Sequence, residues 1–378
     1  MRGLGTRVRW WVEGAATPGL DALIADPEGA LRRASSVARE QAGRKRFYRL
    51  STGASEPDLF VKVFALASPL ARLRYFLRPS KARREAKIAR RIASRGFEVA
   101  APLATGELRY AGLLARSYSV VPALPARDLE TILEEPDLET PERRALLAGF
   151  ARFTRRLHDA GIDQDDTSPN NFLVVGDSRF ALIDFERCAL AERPLGDRRW
   201  TLLAKLHRKD LGVPRTDRLR FLQSYLGPDA GRSQRRIAWQ KIRAAFYQVR
   251  RRDARRAANA AFKLGRHIRR DDGCWSVRGR EQAKVIRFDL PPRDARAAWV
   301  RAHQLERLGL PALRPVRLDP GGIELLDPDR VDPPADREAR VAAALRRFEP
   351  YGRFEATPEW LFTPWPVLQN PLAFRVDV

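Results

Sequence analysis

Between residues 33 and 64 apolar and polar positions alternate in short runs, at 34–39, 47–50 and 59–64, separated by Gln41-Ala-Gly-Arg-Lys45 and by Gly53. This spacing, rich in β-branched and aromatic residues, predicts antiparallel strands. From Ser80 to Ala93 the period changes. Ala82, Ala86, Ile88, Ala89 and Ile92 recur at helical spacing, and Gly96 stands just past the end as a stop signal. Strand-like runs return from Pro102 to Val121, punctuated by Gly106 and Gly112, and Pro122 and Pro125 mark the exit. Five strands and one helix are therefore predicted for a first lobe, preceded by an N-terminal extension.

Beyond Asp128 the pattern is helical. Leu129–Leu133 is followed by Pro141–His158, with Leu146, Leu147, Phe150, Phe153 and Leu157 on one face. Two small strands, Phe172–Val175 and Phe180–Phe185, and further helices from Arg198 complete a mostly helical second lobe. The predicted organisation is a small lobe over 1–124, a large lobe over 125–230, a basic helical segment over 231–270 and a C-terminal region over 271–378.

The composition changes after Gly231. Residues 232–270 hold fourteen Lys or Arg against one acid, Asp253, with Ile237, Ile242, Ala245, Phe246 and Val249 interspersed. A basic amphipathic helix is expected. Ile237, Phe246 and Val249 would anchor it to the helical lobe, leaving Arg235, Arg243, Arg250 and Arg251 partly free.

The C-terminal region echoes the first lobe. Glu281-Gln-Ala-Lys284-Val-Ile-Arg-Phe288 resembles the run around Lys62, a helix follows, and Gly309 and Pro315 repeat the separation of Gly96 and Pro102. Eleven residues before each Gly stand Glu85 and Ala298. A degenerate small-lobe copy without an ion pair is one reading, and convergence of a short strand–helix–strand pattern is the other.

A length of 378 residues implies more than one core, and 44% hydrophobic content supplies them. The net charge of +24 favours polyanionic partners without choosing between nucleic acid, anionic lipid and phosphorylated glycan. Nucleic acid is not expected, because zinc spacing and an aromatic stacking platform are both missing. Cys188 and Cys274 fit neither a disulfide framework nor a zinc cluster. With no secretion signal and nothing near the ~20 apolar residues of a membrane span, a cytoplasmic location is expected, with peripheral attachment to a membrane left open.

The chemistry concentrates in His158-Asp-Ala-Gly-Ile-Asp-Gln-Asp-Asp166-Thr-Ser-Pro-Asn-Asn171 and in Ala181-Leu-Ile-Asp184-Phe-Glu-Arg187. Protein kinases place an Asn five residues after the catalytic Asp, then a short hairpin, then a metal-binding Asp followed by Phe. Phosphoryl transfer is mostly positioning and charge neutralisation. One carboxylate must accept the acceptor proton while hard oxygens hold Mg²⁺ on the phosphates of ATP. Asp166 fits the first role, Asn171 and Asp184 the second. Lys62, in the middle of Leu59–Phe64, and Glu85, on the following helix, fit the cation on the phosphates and the acid that positions it. The glycine-rich loop is weak: only Gly43 is a candidate, beside the basic Arg44-Lys45-Arg46.

These segments, with Leu195-Gly-Asp-Arg-Arg-Trp-Thr-Leu-Leu203, resemble the lipopolysaccharide core kinases, the heptose and Kdo kinase family. The similarity spans roughly residues 30–225. It departs where Gln164 replaces the His that usually opens the catalytic loop. The resemblance implies an α+β, bilobal, protein-kinase-like fold with an additional C-terminal α+β region. It also implies an ATP- and Mg²⁺-dependent kinase acting on a lipopolysaccharide core glycolipid at the cytoplasmic face of the inner membrane. A protein or small-molecule kinase, or a pseudokinase scaffold binding an anionic partner, are the alternatives.

Overall fold

The alternating runs before Pro122 pair into one antiparallel sheet, which has six strands rather than five. In this computed structural model all residues are described except 1–7, 15–16, 42–44, 54–55, 67, 177–178, 207–212, 265–266, 330–331, 364–365 and 378. The strands are β1 (Arg9–Val12), β2 (Ser35–Gln41), β3 (Lys45–Leu50), β4 (Leu59–Ala65), β5 (Ala104–Tyr110) and β6 (Leu113–Pro122), in the order β1-β5-β6-β4-β3-β2. The extra strand comes from the stretch expected to be an extension: Arg9–Val12 pairs with Ala104–Glu107. Four residues are too few to show a period, so only the pairing reveals it.

Helices α1 (Pro18–Ala25) and α2 (Pro27–Arg33) follow β1, capped by the side chains of Thr17 and Asp26, each with Pro at its first position. Leu20 and Leu23 of α1 are fully buried in the core formed by Leu59, Val61, Val63, Tyr118 and Val120. Burial of each such leucine contributes about 1.5–3 kcal/mol. After a short α3 (Pro69–Leu73) comes α4 (Lys81–Ala93), capped by Ser80, which buries Ala82, Glu85, Ala86, Ala89 and Ile92.

The large lobe opens with β7 (Arg127–Asp128), α5 (Leu129–Leu133) and the twenty-residue α6 (Thr140–Asp159). It continues through β8 (Ile162–Gln164), β9 (Phe172–Val175), β10 (Arg179–Leu182), β11 (Cys188–Leu190), α7 (Arg198–Leu206) and α8 (Arg215–Leu226). Phe150 and Phe153 of α6 meet Phe172 and Phe180 of the hairpin, with Phe150 and Phe172 centroids 4.9 Å apart. Gly161 turns the chain from α6 into β8 at φ +71°, and a Cβ there would lie 2.6 Å from the Ala191 carbonyl oxygen. Only glycine fits that turn.

The chain divides into two units, Met1–Gln240 and Lys241–Val378, at a point inside α9 (Arg232–Ala260). That helix corrects two expectations. It ends at Ala260 rather than near Arg270, because Ile268–Asp271 forms β12 and turns through Asp272 and Gly273, both at positive φ, into β13 (Cys274–Val277). Asp-Gly with positive φ at both positions is a tight hairpin signal that outweighs the basic composition. Nor do its apolar residues sit as expected. Ile237 is 52% exposed, while Ala254 is buried with Leu305 and Phe348 of the C-terminal unit and Tyr247 stacks on Tyr351. Arg250 and Arg251 donate to the Arg307 and Pro350 carbonyls.

The C-terminal unit continues with β14 (Val285–Asp289), α10 (Pro292–Leu308), β15 (Pro315–Asp319) and β16 (Gly322–Leu326), in a five-stranded sheet ordered β12-β13-β15-β16-β14. Trp299 of α10 is fully buried and donates to the Ala261 carbonyl. The chain ends with α11 (Arg337–Phe348) and four short strands, β17 (Gly352–Phe354), β18 (Trp360–Phe362), β19 (Pro366–Leu368) and β20 (Phe374–Val376). The order of elements along the chain repeats the small lobe, but the sheet does not: the strand before the helix is central in the first and at the edge in the second. Among the described residues no helix is long and apolar enough to cross a membrane.

Candidate active site

Strand β4 lies between β3 and β6, so every side chain it turns inward is shielded by neighbours on both sides. Lys62 is one of them, 8% exposed, with Phe47 and Phe64 rings 6.0 and 5.0 Å from its ammonium. Such a charge must be paired. Its Nζ donates to Glu85 Oε1 and Oε2 at 3.2 and 3.1 Å and to Asp184 Oδ1 at 3.0 Å. Three predicted site residues, from a strand, a helix and a loop, therefore meet at one ammonium.

Burial opposes the charge on Lys62, but Glu85 and Asp184 outweigh it and hold the ammonium above its usual range. One lysine shared by two acids leaves the more deeply buried acid undercompensated. Burial accordingly pushes the Glu85 carboxyl up, with Asp184 and Glu186 adding to the rise. Asp184 is less buried and goes the other way: burial would raise it, but Lys62 and Lys45 hold it below the ordinary carboxylate range. It sits at φ +59°, an uncommon left-handed conformation outside glycine, and its Oδ1 also accepts from the Glu186 amide at 3.3 Å.

The hairpin of β9 and β10 places the remaining metal candidate. Its register pairs Phe172 with Leu182, and one step further the Ile183 amide donates to the Asn171 carbonyl at 3.0 Å. Asn171 thus stands beside the chain that carries Asp184. Asn171 Nδ2 donates to the Asp166 carbonyl at 3.1 Å, which closes the loop between the two and leaves the amide oxygen for another partner. Asp166 itself is half-buried. The hard oxygens of Asn171 and Asp184, the latter ionised, are a donor set that suits Mg²⁺.

Gln164, in place of the expected His, is buried and donates from Nε2 to the Asp184 carbonyl at 2.8 Å. It ties the loop that leads to Asp166 to the segment that carries Asp184. Asp165 faces the other way. It pairs with Arg198 at 2.5 Å and with Lys205, while Arg198 also grips Asp163 through two bonds of 2.7 and 3.1 Å. The Arg-rich turn entering α7 is thus a brace under the loop. His158 packs against Tyr225, its Nδ1 2.8 Å from the hydroxyl, and burial with Arg199 and Arg198 nearby pushes it down to about 3. A neutral histidine so placed supports the fold. Gly43 lies outside the described residues.

The sequence pointed to neither Glu186 nor Lys81, and to Lys45 only as part of the basic run beside Gly43, where cations could cover phosphates. Glu186 pairs with both lysines, and the carboxylates of Glu85, Asp184 and Glu186 bring oxygens within 4.8 Å of one another. The available signal was an acid two positions after Asp184.

The lipopolysaccharide kinase (Kdo/WaaP) family model matches residues 36–225, half of the chain and the segment that carries every group above. The chain belongs to that family. The kinase fold therefore covers residues 36–225, and the C-terminal α+β region is additional to the matched segment. Among solved structures, "WaaP in complex with acyl carrier protein" is similar, with 24% identity, a TM-score of 0.43, and coverage of 63% of this chain and 99% of that one. No curated protein matches.

Proposed function

We propose that the protein is an ATP- and Mg²⁺-dependent phosphotransferase that phosphorylates a sugar hydroxyl, of heptose or Kdo, in the inner core of lipopolysaccharide. The observation that carries this reading is the convergence of Lys62, Glu85 and Asp184 on one ion-paired point, inside the segment that carries the family match. A lysine held by an acid on the adjacent helix is the arrangement in which kinases neutralise nucleotide phosphates.

In this reading Glu85 positions Lys62, and Lys62 binds the phosphates of ATP. Asp166 accepts the proton of the attacking sugar hydroxyl and orients it in line with the phosphorus, a contribution typically worth 10²–10⁴-fold. Asn171 and Asp184 would hold Mg²⁺, which neutralises charge on the transferring phosphoryl group. Gln164 and the Arg198–Asp163–Asp165 brace keep Asp166 and Asp184 in register. An anionic glycolipid suits a chain of net charge +24, and each Lys or Arg near an anionic membrane surface contributes about 1 kcal/mol.

The test is transfer of labelled phosphate from ATP to purified core oligosaccharide, run beside protein and aminoglycoside acceptors. Asp166→Ala and Asp184→Ala, each checked for folding, should lose at least a thousandfold in rate, and only Asp184→Ala should lose Mg²⁺-dependent nucleotide binding. Transfer to protein alone would establish the small-molecule or protein kinase reading. Nucleotide binding without transfer to any acceptor would establish the scaffold.

A further inference from the structure

Kinases cover nucleotide phosphates with a glycine-rich loop as well as a strand lysine. This chain has only Gln41-Ala-Gly-Arg-Lys45 between β2 and β3. Two other cations stand at the cleft instead. Lys45 opens β3 and Lys81 opens α4, and their ammoniums share one carboxylate: Lys45 pairs with Glu186 Oε2, and Lys81 with Oε1 at 2.6 Å. Both also lie against the Phe64 ring, 5.6 and 5.8 Å from its centroid, beside Lys62 at 5.0 Å. Three ammoniums thus gather round one aromatic ring, and Glu186, the acid that Lys45 and Lys81 share, is bonded through its amide to Asp184, a partner of Lys62.

The choice of cation is informative. Of the 71 Lys and Arg residues only nine are lysine, and three of the nine are gathered here, with a fourth, Lys205, on Asp165. A random draw from so arginine-rich a chain would place arginine at nearly all of these positions. Arginine's planar fork suits a fixed bidentate partner, whereas lysine is a compact point charge on a flexible stem, able to follow a phosphate that arrives, transfers and leaves.

We infer that Lys45 and Lys81 are nucleotide-phosphate ligands that replace the missing glycine-rich loop, and that Glu186 acts as an internal stand-in for a phosphate, competing with the nucleotide for both. This rests on the kinase reading of the same site. A carboxylate spanning two ammoniums with its two oxygens presents the same sign of charge and a similar bite to two phosphate oxygens. A polyphosphate, with more charge and more acceptors, displaces it. A simple latch between sheet and loop would make no such exchange.

Calorimetric binding of MgATP and of adenosine to the full chain separates these. Lys45→Gln and Lys81→Gln should each weaken MgATP about tenfold and together about a hundredfold, within the range for hydrogen bonds to charged groups, with adenosine affinity unchanged. Glu186→Gln should tighten metal-free ATP several-fold, because it removes the competitor. Double-variant affinity for MgATP equal to wild type, parallel losses for ATP and adenosine, or weaker metal-free ATP binding in Glu186→Gln would each overturn the inference. Lys45→Arg and Lys81→Arg, which keep the charge but not the shape, guard against misfolding of the glutamine variants: folded arginine variants that bind ATP as tightly as wild type would overturn the preference for lysine. Failure of the kinase reading looks different. Wild-type protein that binds neither ATP nor adenosine removes both ideas, whereas ATP binding with the predicted lysine dependence but no transfer to core sugar removes only the acceptor.

Discussion

The small lobe and the C-terminal unit share a run of elements, two strands, a third with a lysine at or near it, a helix ending on glycine, and two more strands, yet among the described residues only the small lobe sets that lysine in a buried charged centre. Lys62 lies on a strand with neighbours on both sides and is nearly sealed from water. Lys284 precedes β14, an edge strand bonded only to β16. Its side chain is 76% exposed, and it pairs with Asp327 at 3.2 Å. The two helices end alike, on Gly96 at φ +80° and Gly309 at φ +66°. Eleven residues earlier one offers Glu85 to Lys62, and the other offers Ala298 to an apolar core with Trp299, Leu318 and Leu325. Sheet order thus decides what a lysine can do. On a central strand its charge must be met by buried acids and becomes a fixed tool; at an edge it is solvated, and its pair contributes about 0–1 kcal/mol.

The sharpest test of that contrast is paired truncation. Lys62→Ala should lower kcat/KM by about 10²–10³-fold, since it strands two acids and removes a phosphate ligand, and Glu85→Ala by about tenfold. Lys284→Ala should stay within twofold in the same transfer assay. A large effect at Lys284 would mean that the C-terminal unit carries part of the chemistry.

Installing the missing acid probes the same difference through stability. Ala298→Glu puts a carboxylate into an apolar core, and should cost about 3 kcal/mol in denaturant unfolding of the C-terminal transition. A neutral result would show that the core there admits a charge, and would bring the two units closer together.

Each unit also holds a largely desolvated histidine, His158 buried and His303 half-buried, and here they should behave alike. Burial, then nearby arginines, pushes His158 down to about 3; burial, against Glu306 and with Arg280, pushes His303 down to about 4. Both folded values lie below the unfolded one. Their stabilising contribution is therefore complete above about pH 6.5 and is lost as pH falls toward 3 and 4. At pH 5 each should cost about 2 kcal/mol relative to pH 8, visible as a smaller acid-induced drop in Tm for His158→Gln and for His303→Gln.

The smallest effect is expected on α9. Charge reversal at Arg235 and Arg243 should raise KM for an anionic glycolipid two- to fivefold and leave ATP affinity unchanged, with added salt reproducing the shift by screening. Kinetics indifferent to both would leave α9 a packing element.

Much of the candidate site was legible because it is local. Asp166, Asn171 and Asp184 are fixed by loop length and a four-residue hairpin, so their spacing survives in one dimension. The helix from Lys81 to Ala93 was legible from its period and its stop. Less visible were β1, too short to carry a period, and the end of α9, where basic composition hid an Asp-Gly turn.

The sequence by itself determined the order of most elements, the positions of Lys62, Glu85 and the loop from Asp166 to Asn171, and the family to which those residues point. Only the tertiary structure decided that Lys62 is central and Lys284 peripheral, that Arg198 braces Asp163 and Asp165, and that Lys45, Lys81 and Glu186 meet at all. The physical reason is range. Periodicity and turn chemistry act over a few residues, whereas strand order and the pairing of Lys45 with Glu186, 141 positions apart, are settled by which surfaces the folded chain excludes from water.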